Sequence, residues 1–519
     1  MPKPVLLPAS RVFAAVAMIV SGTVGALSAA SAASVGTAPT STGVFAWGDN
    51  STGELGNGSV GGTSDVPATV LLPPGVAPTS IAAGGGGGGG DMEAPQNGAL
   101  ALGSNGEVYA WGDNSNGALG NGSSVADSGT PVVVSLPSGV TASGIGAAQG
   151  TGYAIGSDGR LYAWGDNNLG KLGNGSTALN SFTPVVVSLP SGVVPIAVAG
   201  GYQSAYALGS NGKVYAWGDN FYGELGNGSM TNSSTPVPVS LPSGITATTI
   251  TGGGGAGYAV GSNGTLYAWG YNAYGELGDN TTSNSDTPVE VELPSGVSPR
   301  AITAGGGFAH AIGSDGNLYG WGLDSTAGQV GDGGGANRVT PEVISLAPSV
   351  KPTAIADNIH TGYAIGNDGK VYAWGYGLAG ELGNGADGNF STPVVVSLPG
   401  GSTPESLGAE PGALAGYAIV AEPNVAVTIT TSSLPDGTVG QPYSFQLQAS
   451  GGTPPYTWNK YPPRGRGVLP IWLRLSKSGL ISGTPKKSGT YTIIVKCLQS
   501  SAHPLKSLAT QELTLTVSP

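Results

Sequence analysis

Short apolar runs alternate with glycine- and proline-rich segments along most of this chain. Around Trp164 the runs cover residues 131–136, 144–147, 152–156 and 161–164. Runs of this length, rich in Val, Ile, Leu and Tyr and bounded by turn residues, predict β-strands. No stretch has the 3.6-residue periodicity of a long amphipathic helix or a coiled coil. The pattern therefore predicts an all-β protein built from four-stranded units.

The four-stranded unit recurs at a nearly fixed period, and each copy contains Tyr-Ala-Trp-Gly or a close variant. The seven tryptophans are Trp47, Trp111, Trp164, Trp217, Trp269, Trp321 and Trp374. Successive tryptophans are 64, 53, 53, 52, 52 and 53 residues apart. In six copies an Asn-Gly or Asp-Gly pair, which suits a tight hairpin, precedes the Trp strand. Seven four-stranded repeats predict a seven-bladed β-propeller.

The two ends of the repeat region are incomplete in complementary ways. The first copy begins at Val44 with its Trp strand, and the last copy stops at Val420 after the strand that normally precedes a Trp strand. We expect these halves to pair in one sheet, because pairing the chain ends leaves no free edge between the first and last blades.

A second motif, Asp-Asn-x-x-Gly-x-Leu-Gly-Asn-Gly, follows the tryptophan and is complete from Asp49, Asp113, Asp166 and Asp219. Together the two motifs resemble the repeat of the regulator of chromosome condensation family over residues 43–422. The resemblance implies a seven-bladed propeller. It does not imply nucleotide exchange on a small GTPase, because the chain lacks the long wedge insertion that the eukaryotic founder uses.

The chain departs from the family pattern at two repeated positions. Where the family usually has histidine in the third strand, it has Thr151, Ser204, Ala256, Phe308 and Thr361. Where the family has glutamine before Leu-Gly, it has Glu54, Ala118, Lys171, Glu224, Glu276, Gln329 and Glu381.

The segments outside the repeats have their own patterns. Residues 1–33 have a basic start, an apolar stretch and small residues around Ala32, which predict a secretory signal peptide followed by a linker at 34–42. Residues 423–519 lack the Trp-Gly repeat, and their Gly-Leu-Ile-Ser-Gly-Thr-Pro motif at 479–485 resembles the immunoglobulin-like module of bacterial surface and secreted proteins. That resemblance implies a small β-sandwich. The lone cysteine, Cys497, is expected to be buried.

Charge divides the chain into two parts. The segment 423–519 has nine basic and two acidic residues, a net charge of +7. Without the signal peptide, the rest has seven basic and 28 acidic residues, a net charge of −21. An acidic ring repels nucleic acid, so no nucleic-acid partner is expected. The basic tail is suited to an anionic wall polymer.

The candidate chemical groups do not combine into a familiar site. His310, His360 and His503 are accompanied by no obvious ligand cluster, and the repeated acids suit turns better than metal binding. We therefore predict no catalytic, cofactor or metal site, and no membrane insertion, in a monomer whose ligand-binding residues remain unknown. The oversized repeat contains an insertion at 84–97, including seven consecutive glycines, which is either a binding loop or a tolerated extension.

These observations predict a secreted, non-enzymatic interaction protein that binds a protein or glycan at the outer cell surface through propeller loops. Cell-wall association is a further expectation from the basic tail. The main alternative is a secreted enzyme inhibitor, since a β-lactamase-inhibitory protein has a similar fold. A propeller hydrolase or lyase would need converging acids or histidines that the sequence does not reveal.

Overall fold

The computed structural model describes residues 42–84, 98–124, 127–409, 413–421, 427–450, 456–460, 469–498 and 508–519. The predicted signal peptide and linker, apart from Thr42, lie outside the described residues. So do His503 and the insertion after Gly84. The described elements are β-strands and one short 3₁₀ turn, Asn168–Gly170. The predicted all-β class is confirmed.

Twenty-eight strands form the propeller. In chain order they are β1 (Thr42–Asp49), β2 (Thr63–Thr69), β3 (Pro78–Gly84), β4 (Gly98–Gly103), β5 (Val108–Gly112), β6 (Ser128–Val133), β7 (Ala142–Ala148), β8 (Thr151–Gly156), β9 (Leu161–Asp166), β10 (Asn180–Val186), β11 (Pro195–Gly200), β12 (Ser204–Gly209), β13 (Val214–Gly218), β14 (Ser233–Pro238), β15 (Ala247–Gly252), β16 (Ala256–Gly261), β17 (Leu266–Gly270), β18 (Ser285–Glu290), β19 (Pro299–Ala304), β20 (Phe308–Gly313), β21 (Leu318–Gly322), β22 (Arg338–Ile344), β23 (Pro352–Asp357), β24 (Thr361–Gly366), β25 (Val371–Gly375), β26 (Phe390–Val395), β27 (Thr403–Gly408) and β28 (Ala415–Ala421).

These strands form seven antiparallel four-stranded sheets, which are the blades. Blade 1 has the order β27-β28-β1-β2 from the centre outwards, and blades 2 to 7 follow in chain order from β3-β4-β5-β6 to β23-β24-β25-β26. The innermost strands β3, β7, β11, β15, β19, β23 and β27 contact their counterparts in the neighbouring blades around the whole ring.

The chain ends pair as the sequence predicts. In blade 1, Phe45 lies opposite Ala418 and Trp47 lies opposite Gly416 in the β1–β28 ladder. Each end of the repeat region contributes two strands, because β2 joins β1 and β27 joins β28. The ring is therefore closed by backbone hydrogen bonds between the first and last repeats.

The sequence repeat and the blade are offset by one strand, which corrects the grouping proposed around Trp164. The sequence pattern assigns the run at 131–136 to that copy. Its strand is β6, and it pairs with the Trp111 strand of the preceding blade. The offset arises because the long signature loop returns the chain to the outer edge of its own blade before the next blade begins.

The repeat tryptophans hold adjacent blades together. All seven side chains are fully buried. Each indole Nε1 donates to a backbone carbonyl in the preceding blade, at 2.7 to 3.1 Å. The acceptors, from Trp47 onwards, are Glu381, Glu54, Ala118, Lys171, Glu224, Glu276 and Gln329. These acceptors occupy the position where the related family has glutamine.

The C-terminal segment is a separate β-sandwich. Its strands are β29 (Thr428–Ile429), β30 (Gly437–Thr438), β31 (Tyr443–Gln446), β32 (Ala449–Ser450), β33 (Thr457–Lys460), β34 (Leu473–Leu475), β35 (Leu480–Gly483), β36 (Gly489–Leu498) and β37 (Leu508–Ser518). One sheet has the order β30-β37-β36-β33 and another β31-β35-β34. Their shared core contains Trp458, Ile493 and Cys497. Cys497 is fully buried as expected, and burial raises the pKa of its thiol to about 11.

Candidate functional site

One end of the ring carries the loops that contain the Asp-Asn signature, and we call this end the signature face. It also carries the connections between the two innermost strands of each blade. In blade 4 the signature loop runs from 219 to 232, and in blade 5 from 271 to 284. The tight Asn-Gly and Asp-Gly hairpins lie at the opposite end.

The signature loops are held rigidly by their asparagines. In blade 4, Asn220 Oδ1 accepts the Leu225 N–H at 2.8 Å, and its Nδ2 donates to the carbonyls of Ser229 and Thr231. The equivalent Asn272 of blade 5 accepts the Leu277 N–H at 2.9 Å. Asp219 Oδ1 also accepts the Phe221 N–H at 3.3 Å, so both residues of the Asp-Asn pair make contacts within the turn. Within the described ranges, no group of three or more His, Cys, Asp or Glu residues is arranged to hold a metal ion.

Four aromatic side chains form a continuous row across blades 4 and 5 on this face, and we call it the tyrosine ridge. It consists of Phe221, Tyr222, Tyr271 and Tyr274. The ring centroids of successive members are 4.8, 4.8 and 6.1 Å apart. Phe221 is 67% exposed and Tyr274 is 40% exposed, whereas Tyr271 is half-buried. Large aromatics exposed together in this way mark interaction surfaces rather than core packing.

Buried glutamates fix the backbone under the ridge. The Tyr222 N–H donates to Glu224 Oε2 at 2.8 Å, and the Tyr274 N–H donates to Glu276 Oε2 at the same distance. The blade 4 loop also lies against the next blade: a Cβ on Gly223 would lie 2.5 Å from the Cα of Asp286. The ridge therefore stands on a preorganised scaffold, which lowers the entropic cost of binding.

The carboxyl groups of these glutamates have raised pKa values. Burial raises the pKa of Glu224, Glu276 and Glu381 to about 7, and it also raises the pKa of Glu54. Glu276 Oε1 is buried without a hydrogen-bond partner. A carboxylate in such a site is disfavoured relative to the protonated acid.

Replacing one of these glutamates should therefore change how stability depends on pH. The pKa of Glu276 is about 7 in the folded protein and about 4.5 in the unfolded chain. Its contribution to the free energy of unfolding is therefore fully present below about pH 4.5 and is lost as pH rises through 7. Glu276→Gln should raise the free energy of unfolding near pH 8 by up to about 3 kcal/mol and change it little near pH 5. Urea denaturation at the two pH values measures this.

Blade 6 supplies the matched control, because Gln329 occupies the equivalent position and its Oε1 accepts the Ser325 N–H at 3.0 Å. Gln329→Glu should destabilise the protein near pH 8 more than near pH 5. Equal effects of Glu276→Gln at both pH values would show that the burial of this carboxylate does not control its protonation.

Blade 3 has a lysine at the same position. Lys171 is fully buried, and its Nζ lies 2.7 Å from Asp166 Oδ2 and 2.6 Å from the Gln149 carbonyl oxygen. The sequence identifies Lys171 as a departure from the family but does not reveal that it is buried and paired. Blade 3 therefore has a buried lysine–aspartate ion pair where several other blades have a buried glutamate.

His310 has one carboxylate partner, which the sequence does not reveal. Its Nδ1 lies 2.8 Å from Asp357 Oδ1 in the next blade, and its Nε2 lies 3.1 Å from the Val330 carbonyl oxygen. Both side chains are buried, so the pair joins blades 6 and 7. The other described histidine, His360, is partly exposed and packs against Tyr376 at 5.8 Å, and burial lowers its pKa.

The signature face is strongly acidic. Its partly or fully exposed acids are Asp49, Asp65, Asp127, Asp219, Asp279, Asp286, Asp332 and Asp387. The other described acids of these loops and strand ends are buried: Glu54, Asp113, Asp166, Glu224, Glu276, Asp324, Asp357 and Glu381. The two described basic residues there are Lys171 and Arg338, which pair with Asp166 and Asp332. Toward the opposite end lie Arg160, Lys213, Arg300, Lys351 and Lys370, together with the exposed acids Glu107, Asp158, Glu290, Asp315, Glu342, Asp368 and Glu405. Acids therefore exceed bases at both ends, and the exposed excess is larger on the signature face.

The tyrosine ridge is absent from the sequence-based predictions, although a signal for it exists. The two variable positions of Asp-Asn-x-x-Gly are Ser51-Thr52 in blade 1, Phe221-Tyr222 in blade 4 and Ala273-Tyr274 in blade 5. Tyr271 stands where the first four copies have aspartate. Residues that recur in every repeat serve the fold. Aromatic residues at positions that vary between repeats therefore indicate function more directly.

Comparisons with known proteins agree with this architecture. The family model described as "RCC1-like domain" matches residues 43–410. The chain belongs to the RCC1-like family. A second model, described as "Putative Ig domain", matches residues 422–518. Both resemblances drawn from the sequence are thereby confirmed.

Two relatives are similar in sequence to more than half of this chain. The ultraviolet-B receptor UVR8 of Arabidopsis thaliana is 29% identical over 354 residues, which are 68% of this chain and 77% of the receptor. The human E3 ubiquitin-protein ligase HERC2 is 31% identical over 307 residues, which are 58% of this chain and 6% of HERC2.

Solved structures show the same fold. Prp20p from Saccharomyces cerevisiae has a TM-score of 0.64 and 23% identity, and the match covers 74% of this chain and 92% of Prp20p. Human WBSCR16 has a TM-score of 0.63 and 21% identity, with 73% and 99% covered. RCC1-like propellers are typically non-enzymatic interaction or regulatory proteins.

Among the described residues, no helix has the length and apolar character needed to cross a membrane.

Proposed function

We propose that this RCC1-like chain is a secreted, non-enzymatic interaction protein that binds a protein partner at the outer cell surface through the tyrosine ridge. The observation that carries the proposal is the continuous row of exposed aromatic rings on the signature face. Phe, Tyr and Trp are enriched at protein interfaces because they bury a large area with few rotatable bonds.

The geometry favours a protein partner over a glycan. Phe221 and Tyr222 meet at 89°, and Tyr222 and Tyr271 at 60°, so the rings do not form one flat platform. Such an irregular surface suits interdigitation with side chains, which is how hot spots pack. Among related folds, yeast RCC1 (Prp20) is known in complex with Kap60.

Secretion is part of the proposal and rests on the predicted signal peptide at 1–33. The non-enzymatic part is consistent with the buried His310–Asp357 pair, whose side chains are 0% and 1% exposed. A general base must reach the substrate proton, and these groups are enclosed by the packing between blades.

Removing the ridge should weaken partner capture without unfolding the ring. The triple variant Phe221→Ala, Tyr222→Ala and Tyr274→Ala places alanine where other blades tolerate it, since Ala273 and Ala379 occupy equivalent positions. Loss of hot-spot side chains should weaken binding at least about tenfold. Pull-down of partner from extracts of secreted and surface proteins, followed by titration of the captured protein, measures the effect.

The matched control is Leu378→Ala, because Leu378 is 60% exposed in blade 7 and is equivalent to Phe221. It removes an exposed apolar side chain from the same face, outside the ridge, and should leave capture unchanged. Capture that survives the triple variant, or that is lost equally in the control, would contradict a ridge-centred interface.

We also propose that the basic sandwich gives adhesion to anionic wall polymer. Its exposed cations include Lys460, Arg474, Lys477, Lys486 and Lys487. The mature chain should bind purified wall polymer at low salt and be released at high salt, since attraction between exposed charges is screened within about 8 Å at physiological salt. Replacing Lys486 and Lys487 by Gln should reduce binding, whereas ridge variants should not. Binding that ignores salt would refute this account.

A further inference from the structure

We infer that the segment of the partner that docks on the tyrosine ridge is basic and places arginine or lysine side chains against the aromatic rings. This inference rests on the proposed function and specifies the chemistry of its partner. Three observations carry it: the charge asymmetry between the two ends of the ring, the acids beside the ridge, and the arrangement of the rings.

The two ends of the propeller present different electrostatic fields. Both described cations of the signature face are paired, Lys171 with Asp166 at 2.7 Å and Arg338 with Asp332 at 2.6 Å. The other basic residues of the propeller lie toward the opposite end. A face with excess negative charge concentrates cationic partners and speeds their association, whereas it repels acidic ones.

Partly exposed carboxylates lie next to the ridge itself. Asp219 precedes Phe221 by two residues, and its Oδ1 accepts the Phe221 N–H at 3.3 Å. Asp286 lies against Gly223, directly after Tyr222. Both carboxylates are partly exposed, and one comes from blade 4 and the other from blade 5. A cationic side chain near Phe221 and Tyr222 would therefore approach negative charge.

The exposed aromatic rings of the ridge can attract cations. Edge-to-face contacts, such as that at 89° between Phe221 and Tyr222, join the electropositive edge of one ring to the electronegative face of another. An Arg or Lys within about 6 Å of a Tyr or Phe face is attracted by the same quadrupole. Arginine also stacks its planar guanidinium on aromatic rings, so an arginine-rich segment suits the ridge best.

Three peptides of equal length test the inference on the full mature chain: arginine alternating with serine, citrulline alternating with serine, and glutamate alternating with serine. Citrulline keeps the shape of arginine and removes its charge. Fluorescence anisotropy at low and high salt should show binding of the arginine peptide, at least about tenfold weaker binding of the citrulline peptide, and no binding of the glutamate peptide.

Variants then locate the binding. The triple ridge variant should lower affinity for the arginine peptide about tenfold. Asp219→Asn with Asp286→Ser should lower it severalfold and reduce its salt dependence, and serine at 286 copies Ser234 of blade 4. Glu290→Gln with Glu405→Gln removes the same charge at exposed positions toward the opposite end and should have little effect.

Three results would overturn the inference: no binding of the arginine peptide, equal affinity for the citrulline peptide, or equal affinity of the triple ridge variant. If pull-down still shows ridge-dependent capture of a protein after such a result, the proposed function stands and the ridge binds an apolar segment of that protein. If ridge-dependent capture is also absent, the proposed function itself fails.

Discussion

A propeller that ends before Ala415 should lose the whole ring, and not only its last blade. Strand β28 pairs with β1 on one side and β27 on the other, so its removal separates the two chain ends. It also removes Tyr417, whose hydroxyl donates to the Glu54 carbonyl at 2.8 Å. Burying Tyr417, Ile419 and Val420 contributes about 5 kcal/mol or more, which is comparable with the total stability of many domains.

The measurement compares two chains that both begin at Thr42, one ending at Leu414 and the other at Ala421. The longer chain should unfold in one cooperative thermal transition. The shorter chain should be largely unfolded or aggregated, with hydrogen-exchange protection lost in every blade. Protection retained in blades 3 to 5 of the shorter chain would show that the blades are stable without closure.

The second large effect is expected at the buried ion pair of blade 3. Asp166→Asn leaves the fully buried Lys171 ammonium without its counter-ion, although the Gln149 carbonyl remains 2.6 Å away. Removing one partner of a buried pair costs about 3 to 5 kcal/mol, because the remaining charge is uncompensated. Urea denaturation of the full mature chain measures the loss.

A surface pair provides the control for this variant. Arg160 and Asp158 are 3.9 Å apart, and the arginine side chain is 64% exposed. Asp158→Asn should therefore cost less than about 1 kcal/mol. Similar losses in the two variants would mean that burial does not determine the importance of the Lys171–Asp166 pair. The double variant Asp166→Asn, Lys171→Gln should recover part of the stability, since it restores the family residue at 171.

The sequence predicts this fold well because the repeat that forms the propeller occurs seven times. The tryptophans, the hairpin glycines and the incomplete first and last copies each correspond to a contact: an indole hydrogen bond to the preceding blade, a tight turn, and the β1–β28 ladder. Because each feature occurs in several repeats, no inference depends on one residue. The offset of one strand between repeat and blade is not predicted, because spacing along the chain does not reveal on which side a strand pairs.

The candidate site is harder to predict, because its residues occupy positions that the fold does not constrain. Phe221 and Tyr222 stand where blade 1 has Ser51 and Thr52, and both pairs fit the same loop. The sequence also does not show which buried charged groups pair, because the partners are distant along the chain. Asp357 is 47 residues from His310 and lies in another blade. Only the three-dimensional arrangement shows that the tyrosines of two loops form one row.

Site-specific photocrosslinking tests the central claim, that the tyrosine ridge is the partner interface, most directly. A benzophenone side chain replaces Tyr271 in one mature protein and Val186, an exposed residue of an outer strand, in another. After incubation with secreted and surface proteins and irradiation, position 271 should give one discrete crosslinked protein and position 186 should give none. A discrete product from position 186, with none from 271, would contradict the account.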